Sequence, residues 1–419
     1  MPVFTSSIEV TADYPTIKPS LNLNFARARS LDPRITFTRA SVGTYVGRDG
    51  LIKTAGEDEP RFDHDPDTLE SLGLLIEESR TNIHSSQGSL TGTTNPEGIT
   101  GGQNFINWSA ESYTARRQRL QFSYSLSAGT YTLSFYTKLV GQIANPDFVV
   151  GSDMGPDSLD TLRIQFIGLT GDLANDTYGG SITIPTVVQK LPNDWYRVQL
   201  TATYSGSGTG FFYWYPSGTN TVSVDTNTGF YVWGVQLEAG SFPTSYIPTS
   251  GSTVTRQDDF GSITGESFSN FFNQSEGTFD VGYKLGDDNT SMRVAQVSNA
   301  NSNTVIDLVV GSGGGAGGYW YIMTGGVVQF SSPTIVNSSQ VDRNFRAVLA
   351  YKENDCVAQN NKTSAEPTTD TSVTLATDYN KLLFYAFANN GDHIQGHLKF
   401  IRYYPKRLTN AQVTLFSQD

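Results

Sequence analysis

The chain of 419 residues has a single cysteine, Cys356, so no internal disulfide is available and nothing in the fold depends on an oxidising compartment. Stability has to come from packing. Charged residues are scarce, at 16%, and 28 Lys and Arg against 40 Asp and Glu leave a formal charge of −12. A phosphate-binding surface needs clustered cations, so this balance argues against a nucleic-acid partner, while it suits solubility in a crowded assembly. No apolar run approaches the roughly 20 residues that span a bilayer, which argues against membrane insertion. No charged-then-apolar segment resembling a signal peptide opens the sequence, so synthesis and assembly in a cytoplasm are expected. The four histidines, His64, His84, His393 and His397, lie in no HExxH or triad-like context. Gly-x-Ser-x-Gly is absent, and no strand carries the paired acids of a retaining glycosidase. No enzyme activity, cofactor or metal is expected.

What the sequence does have is glycine, 41 residues of it, with 21 Tyr and 24 Phe, in short segments whose apolar positions alternate. That pattern belongs to an all-β protein with many turns. At about 150 residues per domain, the length implies two or three domains. One boundary follows a strand in which Tyr231, Trp233, Val235 and Leu237 share a face. After it Gly240, Pro243, Pro248 and Gly251 forbid a further ladder, while Tyr246 and Ile247 are left to pin the exit segment to the sheet.

In chain order, residues 1–84 read as an extended arm and a small β module. Leu21 to Phe25 and Ile35 to Arg39 alternate as short strands, and Gly47-Arg-Asp-Gly50 turns a hairpin between Thr44–Val46 and Leu51–Lys53. The run Asp63 to Asp67 crowds an imidazole with carboxylates, but a turn whose Asp side chains cap backbone amides fits it better than a metal site. Glu77 and Glu78 are adjacent on a strand and point to opposite faces, so they are no catalytic pair; one is expected to partner Arg39, Arg61 or Arg80.

Residues 85–256 read as a β-sandwich. Its strand Phe211 to Tyr215 is aromatic on both faces and cannot bury both against one core. One set, Phe212 and Trp214 or Phe211, Tyr213 and Tyr215, must lie under a loop, at an interface or in a ligand groove. Trp214 with Tyr213 or Tyr215 is the groove candidate, since sugars stack their C–H faces on aromatic rings. Residues 260–419 read as a jelly roll of eight strands closed by one short C-terminal helix, with a capping box at Thr409 and Gln412 and a staple of Leu408 with Val413. The glycine-rich stretch Gly311 to Gly318 precedes a strand rather than a helix, so it is a loop and not a dinucleotide site. Lys399, Arg402, Lys406 and Arg407 are expected to offset neighbouring carboxylates. The loops Asn299–Asn303 and Asn354–Asn361 are candidate ligand contacts, with Trp320, Asn354, Asp355, Asn360 and Asn361 as the residues.

Three motif blocks carry a resemblance. Tyr231 to Gly240, then Thr244-Ser-Tyr-Ile-Pro-Thr249 and Thr255-Arg256, resemble the end of a carbohydrate-binding-module-like β-sandwich frequent in tailed-bacteriophage structural proteins. Leu31 to Ser41, Gly50 to Thr54, Pro60 to Pro66 and Gly73 to Asn82 look like the N-terminal module of phage, often cyanophage, fibre-type proteins. Gly396 to Gln412 is similar to the last strand and helix of a concanavalin A-like, or laminin-G-like, jelly roll. The resemblance implies a small N-terminal β module followed by two sandwiches. It implies a virion fibre or adhesin that attaches by its N-terminal module to tail or capsid proteins and binds host surface polysaccharide. It also implies a homo-oligomer, often a trimer, although no heptad or β-helix period imposes one. A capsid-decorating or tail-assembly protein with protein partners only is the alternative, and a surface-polysaccharide depolymerase the third.

Overall fold

The computed structural model describes residues 15–85, 93–101, 104–107, 120–140, 147–153, 159–167, 172–178, 182–183, 189–204, 208–217, 229–286, 292–300, 303–310, 318–332, 344–360, 366–384 and 395–418. Within 102–123, 141–188 and 204–229 the description is of the backbone. Nearly all of the described secondary structure is strand, with two α-helices, α1 (Gly265–Ser269) and α2 (Asn410–Gln418). The all-β expectation holds.

Four large sheets make two sandwiches. In the first, an eight-stranded sheet is centred on the long neighbours Glu276–Leu285 and Gly396–Tyr404, facing a seven-stranded sheet that runs from Thr36–Thr38 through Phe260–Thr264 to Val327–Ser331. All eight strands expected after residue 260 are present. The separate N-terminal module is corrected: its strands complete this sandwich. Leu21–Asn24 pairs with Phe400–Tyr403, Ile76 lies opposite Gly396, and Thr36–Thr38 pairs with Phe260–Ser262. Leu21, Leu23, Leu74 and Ile76 share one core with Phe279, Tyr283, Trp320 and Tyr351. The physical reason is size. Strands of three to six residues with one apolar face cannot close a core alone, and here Leu21–Asn24 and Ser71–Ile76 add to a strand of nine residues and Thr36–Thr38 to one of five.

The second sandwich is inserted between the two parts of the first. Its six-stranded sheet includes Gly129–Val140, Trp195–Tyr204 and Gly229–Ala239, and its five-stranded sheet runs in the order Asp172–Tyr178, Leu159–Ile167, Asp147–Asp153, Gly208–Ser217, Leu120–Leu126. The chain enters and leaves by adjacent strands, Arg80–Asn82 pairing with Val254–Arg256. Gly251 N–H then donates to the Ser85 carbonyl at 2.7 Å.

Strand direction orders the molecule from end to end. Ile76 and Phe260 begin the crossing to the inserted sandwich, whereas Tyr403, Leu21 and the chain leading into α2 lie at the opposite end of the terminal sandwich. Helix α2 is held by the expected capping box. Gln412 N–H donates to Thr409 Oγ1 at 3.3 Å, and Thr409 N–H to Gln412 Oε1 at 3.0 Å. Leu408 and Val413 bury together against Val348 and Val357. The hairpin Gly43–Val46 with Ile52–Ala55 forms as read, with Gly50 at a φ of 75° that favours glycine.

Candidate functional site

The two sandwiches meet in a joint built from charged side chains sealed from water. Arg61 reaches Glu77 at 2.7 Å and Asp259 at 2.5 Å, while Arg39 reaches the other Asp259 oxygen at 3.0 Å. Arg256 stands 3.6 Å from Glu77, and its guanidinium donates to the Glu78 carbonyl at 2.7 Å. Ser245 donates to Glu77 twice, from N–H at 2.7 Å and from Oγ at 2.6 Å. Burial pushes the Glu77 carboxyl up, but Arg256, Arg61 and the Ser245 bonds outweigh it and hold the group far below the usual carboxylate range. The expected partnering of the acid pair is therefore Glu77 with Arg61, and Glu78 with Arg80.

A second hydrogen-bonded tier lies beside this one. The Gln236 side chain donates to Glu238 at 2.8 Å and accepts from Ile247 N–H at 2.6 Å. Thr244 gives Glu238 its N–H at 2.9 Å and its hydroxyl at 2.6 Å. Burial raises the Glu238 carboxyl, opposed by these Thr244 and Gln236 hydrogen bonds. Asn82 donates to the Ile247 carbonyl at 2.9 Å and accepts from Leu237 N–H at 3.1 Å. Ile52 of the hairpin plugs the space among Tyr136, Leu191, Trp195, Trp233 and Tyr246. Tyr246 and Ile247 do pin the exit segment, as read.

The Asp63 to Asp67 run behaves as a capped turn at Asp65, whose carboxylate accepts from Asp67 and Thr68 N–H at 3.0 and 2.8 Å. Asp63 instead joins two elements, accepting from Val46 N–H at 2.6 Å and standing 2.7 Å from His397 Nε2. Among the described residues no group of three or more His, Cys, Asp or Glu is placed to hold a metal ion. The four basic residues near the C-terminus meet carboxylates as read: Lys399 with Glu70 at 4.0 Å, Arg402 with Asp280 at 3.2 Å, Lys406 with Glu276 at 2.8 Å and Arg407 with Asp355 at 2.7 Å.

In the five-stranded sheet of the inserted sandwich the register sets Trp214 opposite Leu120 and Val150, and Phe212 opposite Phe122 and Ser152. Residues directly opposite share a sheet face, and neighbours along a strand belong to opposite faces. Tyr124 and Leu126, which belong with Leu120 and Phe122, are buried, so that face is the core side. Ser125 between them is exposed. On its face stand Phe211, Tyr213 and Tyr215, with Tyr213 opposite Gln121 and Gly151 and Phe211 opposite Ser123 and Asp153. The next strands add Arg163 opposite Val149, and Asp176 opposite Arg163. Three aromatic positions of one strand thus fall on the outer face, which also holds the positions Val149, Leu159, Ile167, Ala174 and Tyr178 among polar ones. Trp214 and the two tyrosines occupy opposite faces, so they do not make the single groove expected of them.

The remaining candidates do not converge. Trp320 is 1% exposed within the core of the terminal sandwich and has no free ring face. Asn360 is buried, its amide donating to the Gly318 carbonyl. Residues 354–361 are not one loop, because Cys356–Asn360 is a strand. Asn354 is exposed in the turn before it at a φ of 57°, and Asp355 is paired with Arg407. Asn361 and the loop 311–317 lie outside the described residues. Asn299 is held by Asp378 at 2.9 Å. Residues missed in the sequence are the polar companions of the three aromatics, Gln121, Ser123, Asp153 and Asp176. Their alternation was visible, but which strand neighbours which was not.

The sequence matches no protein-family model and no curated protein. Among solved structures the chain is similar to the CBM40 of the Ruminococcus gnavus IT-sialidase bound to α2,3-sialyllactose, at 13% identity over 36% of this chain and 88% of that one, with a TM-score of 0.31. It is similar to domain 4 of AbnA, a GH43 extracellular arabinanase from Geobacillus stearothermophilus, in complex with arabinotriose, at 11% identity over 43% and 84%, TM-score 0.32. The LG1–3 region of the laminin α2 chain matches at 10% identity over 72% and 66%, TM-score 0.24. Likenesses this distant decide nothing about ligand or activity, and the site rests on the chain's own residues.

Proposed function

We propose that the protein is a non-enzymatic virion component of fibre or adhesin type, which presents the inserted sandwich to host surface polysaccharide. The observation that carries this reading is the register that puts Phe211, Tyr213 and Tyr215 on one face of the Gly208–Ser217 strand, opposite the face shared with the buried Tyr124 and Leu126. Aromatic rings stack on sugar C–H faces, while the flanking amide, hydroxyl and carboxylate groups address hydroxyls. The joint then has a plain purpose: it fixes the direction in which that face points. Many copies on one particle would turn weak single contacts into firm attachment.

Protein partners within the particle belong to the terminal sandwich. Its edge strand Val327–Ser331 carries no charge and leaves Val327 and Val328 60% and 58% exposed, the kind of edge that pairs with another chain. That same edge supports the second reading, a decorating or tail-assembly protein with protein partners only.

The deciding experiment is affinity electrophoresis of the full chain in gels containing extracted host surface polysaccharide, beside Tyr213→Ala. Retardation of the native chain that the variant loses is the expected result. No retardation, from a protein still incorporated into particles, would favour the structural reading.

A further inference from the structure

Two neighbouring residues of the exit segment are each gripped by a buried carboxylate, one from either sandwich. Ser245 is held by Glu77 of the terminal sandwich, and Thr244 by Glu238 of the strand Gly229–Ala239. The grips differ in what surrounds the acid. Glu77 faces Arg61 and Arg256, whereas no ion pair reaches Glu238 among the described residues, although Glu238 is fully buried. A buried carboxylate with only neutral donors is costly to keep ionised.

The charged groups around Glu238 are committed elsewhere. On the strand Arg80–Asn82, Arg80 is paired with Glu78 and acts on Glu238 without contact. On Trp195–Tyr204, Arg197 donates to the Thr244 carbonyl at 2.5 Å, and on the far side of Ser245 stand Arg61 and Glu77. The segment 240–249 packed across it carries no charge, and Thr132, its opposite number in the Gly129–Val140 strand, is uncharged too.

The hydrogen bonds leave one place for a proton. Gln236 Oε1 accepts from Ile247 N–H at 2.6 Å, so Nε2 is the atom that donates to Glu238 Oε2, at 2.8 Å. Oε2 also accepts from Thr244 N–H at 2.9 Å and is an acceptor twice over. Oε1 meets the Thr244 hydroxyl alone, at 2.6 Å, and a hydroxyl can donate or accept. With a proton on Oε1 the acid donates to Thr244 Oγ1, and the Thr244 hydrogen turns toward the Ser245 carbonyl, 3.5 Å away. Burial pushes the Glu238 carboxyl up, in the direction this geometry favours.

We propose that Glu238 and Thr244 form a proton-operated latch: with Glu238 protonated on Oε1 the exit segment lies closed on the joint, and loss of that proton opens it. Opening loosens Tyr246 and Ile247, which tie the inserted sandwich to Thr44 of the hairpin and to Asn82. The stabilisation is present below the raised carboxyl value and is lost as pH climbs through it, the reverse of Glu77, which stays ionised there.

The test is hydrogen–deuterium exchange of the intact chain from pH 5 to pH 9, corrected for the intrinsic pH dependence of exchange, with Glu238→Gln alongside. It is read at the amides of Thr244, Ser245 and Ile247. A side-chain amide reproduces the protonated acid, with an oxygen to accept and an N–H to give Thr244. In the native chain those amides should open more often as pH rises, about tenfold for each unit by which the Glu238 carboxyl is raised. The variant should keep its acid-side protection throughout. Native protection that does not change with pH overturns the latch, and so does a variant that follows the native pH dependence. A variant that opens or fails to fold at every pH overturns it as well. None of these outcomes depends on what the outer face binds.

Discussion

At the joint, three arginines and two carboxylates are packed where water does not reach, each tied to a named partner on another element. On the outer face of the inserted sandwich, Phe211, Tyr213 and Tyr215 share a face set only by the register of their own sheet. The difference separates what is recognisable in this chain from what it is proposed to use. Arg39, Arg61, Glu77, Asn82, Gln236, Glu238, Thr244 and Arg256 all fall in the motif blocks that carry the family resemblance, and all of them build the joint. The outer face of the five-stranded sheet contains none of those blocks.

The comparison breaks most sharply at Arg61. Replacing it with alanine leaves Glu77 and Asp259 buried without their shared cation, and should cost about 3–5 kcal/mol in denaturant unfolding, enough to threaten solubility. A loss below about 1 kcal/mol would mean that the joint is not the sealed lock described here.

Glu77→Gln should cost less, about 2 kcal/mol at neutral pH, because an amide oxygen can still accept from Ser245. The sign with pH is fixed by the depressed carboxyl. Its stabilisation is present above the ordinary carboxylate pKa of about 4 and is lost as pH falls below that toward its folded value. Native and Glu77→Gln unfolding curves should therefore converge in acid. Curves that stay equally far apart at pH 7 and pH 3 would count against this linkage.

Smaller again is the cap of α2. Thr409→Ala removes one half of the capping box and should cost about 1 kcal/mol. Tyr213→Ala, at the outer face, should fall within about 0.5 kcal/mol of the native chain, since a surface substitution away from any lock leaves the fold alone. A large destabilisation there would place that residue in packing and remove it from the ligand site.

How much of this was legible depends on what is local and what is not. The capping box at Thr409, the Asp49-Gly50 hairpin and the eight strands after residue 260 are local patterns, and each reads directly from spacing. The joining of Leu21–Asn24 to Phe400–Tyr403 is not, because pairing across almost 400 residues leaves no mark on either strand. The same reason hid the face. Period-two alternation shows that Tyr213 and Trp214 belong to opposite faces, yet which face is core depends on Tyr124 and Leu126 of a neighbour chosen by the fold. Trp320 misleads for the converse reason: a tryptophan on a strand looks the same in sequence whether it faces ligand or core. α1 is too short to show a helical period.

Hydrogen–deuterium exchange of the intact chain, with and without extracted host surface polysaccharide, reads the joint and the outer face in one experiment. Added protection is expected in Gly208–Ser217 and Leu120–Leu126, with the joint strands Arg80–Asn82 and Val254–Arg256 slow to exchange in both states. Protection confined to the 299–303 and 352–356 turns of the terminal sandwich, or none anywhere, would contradict it.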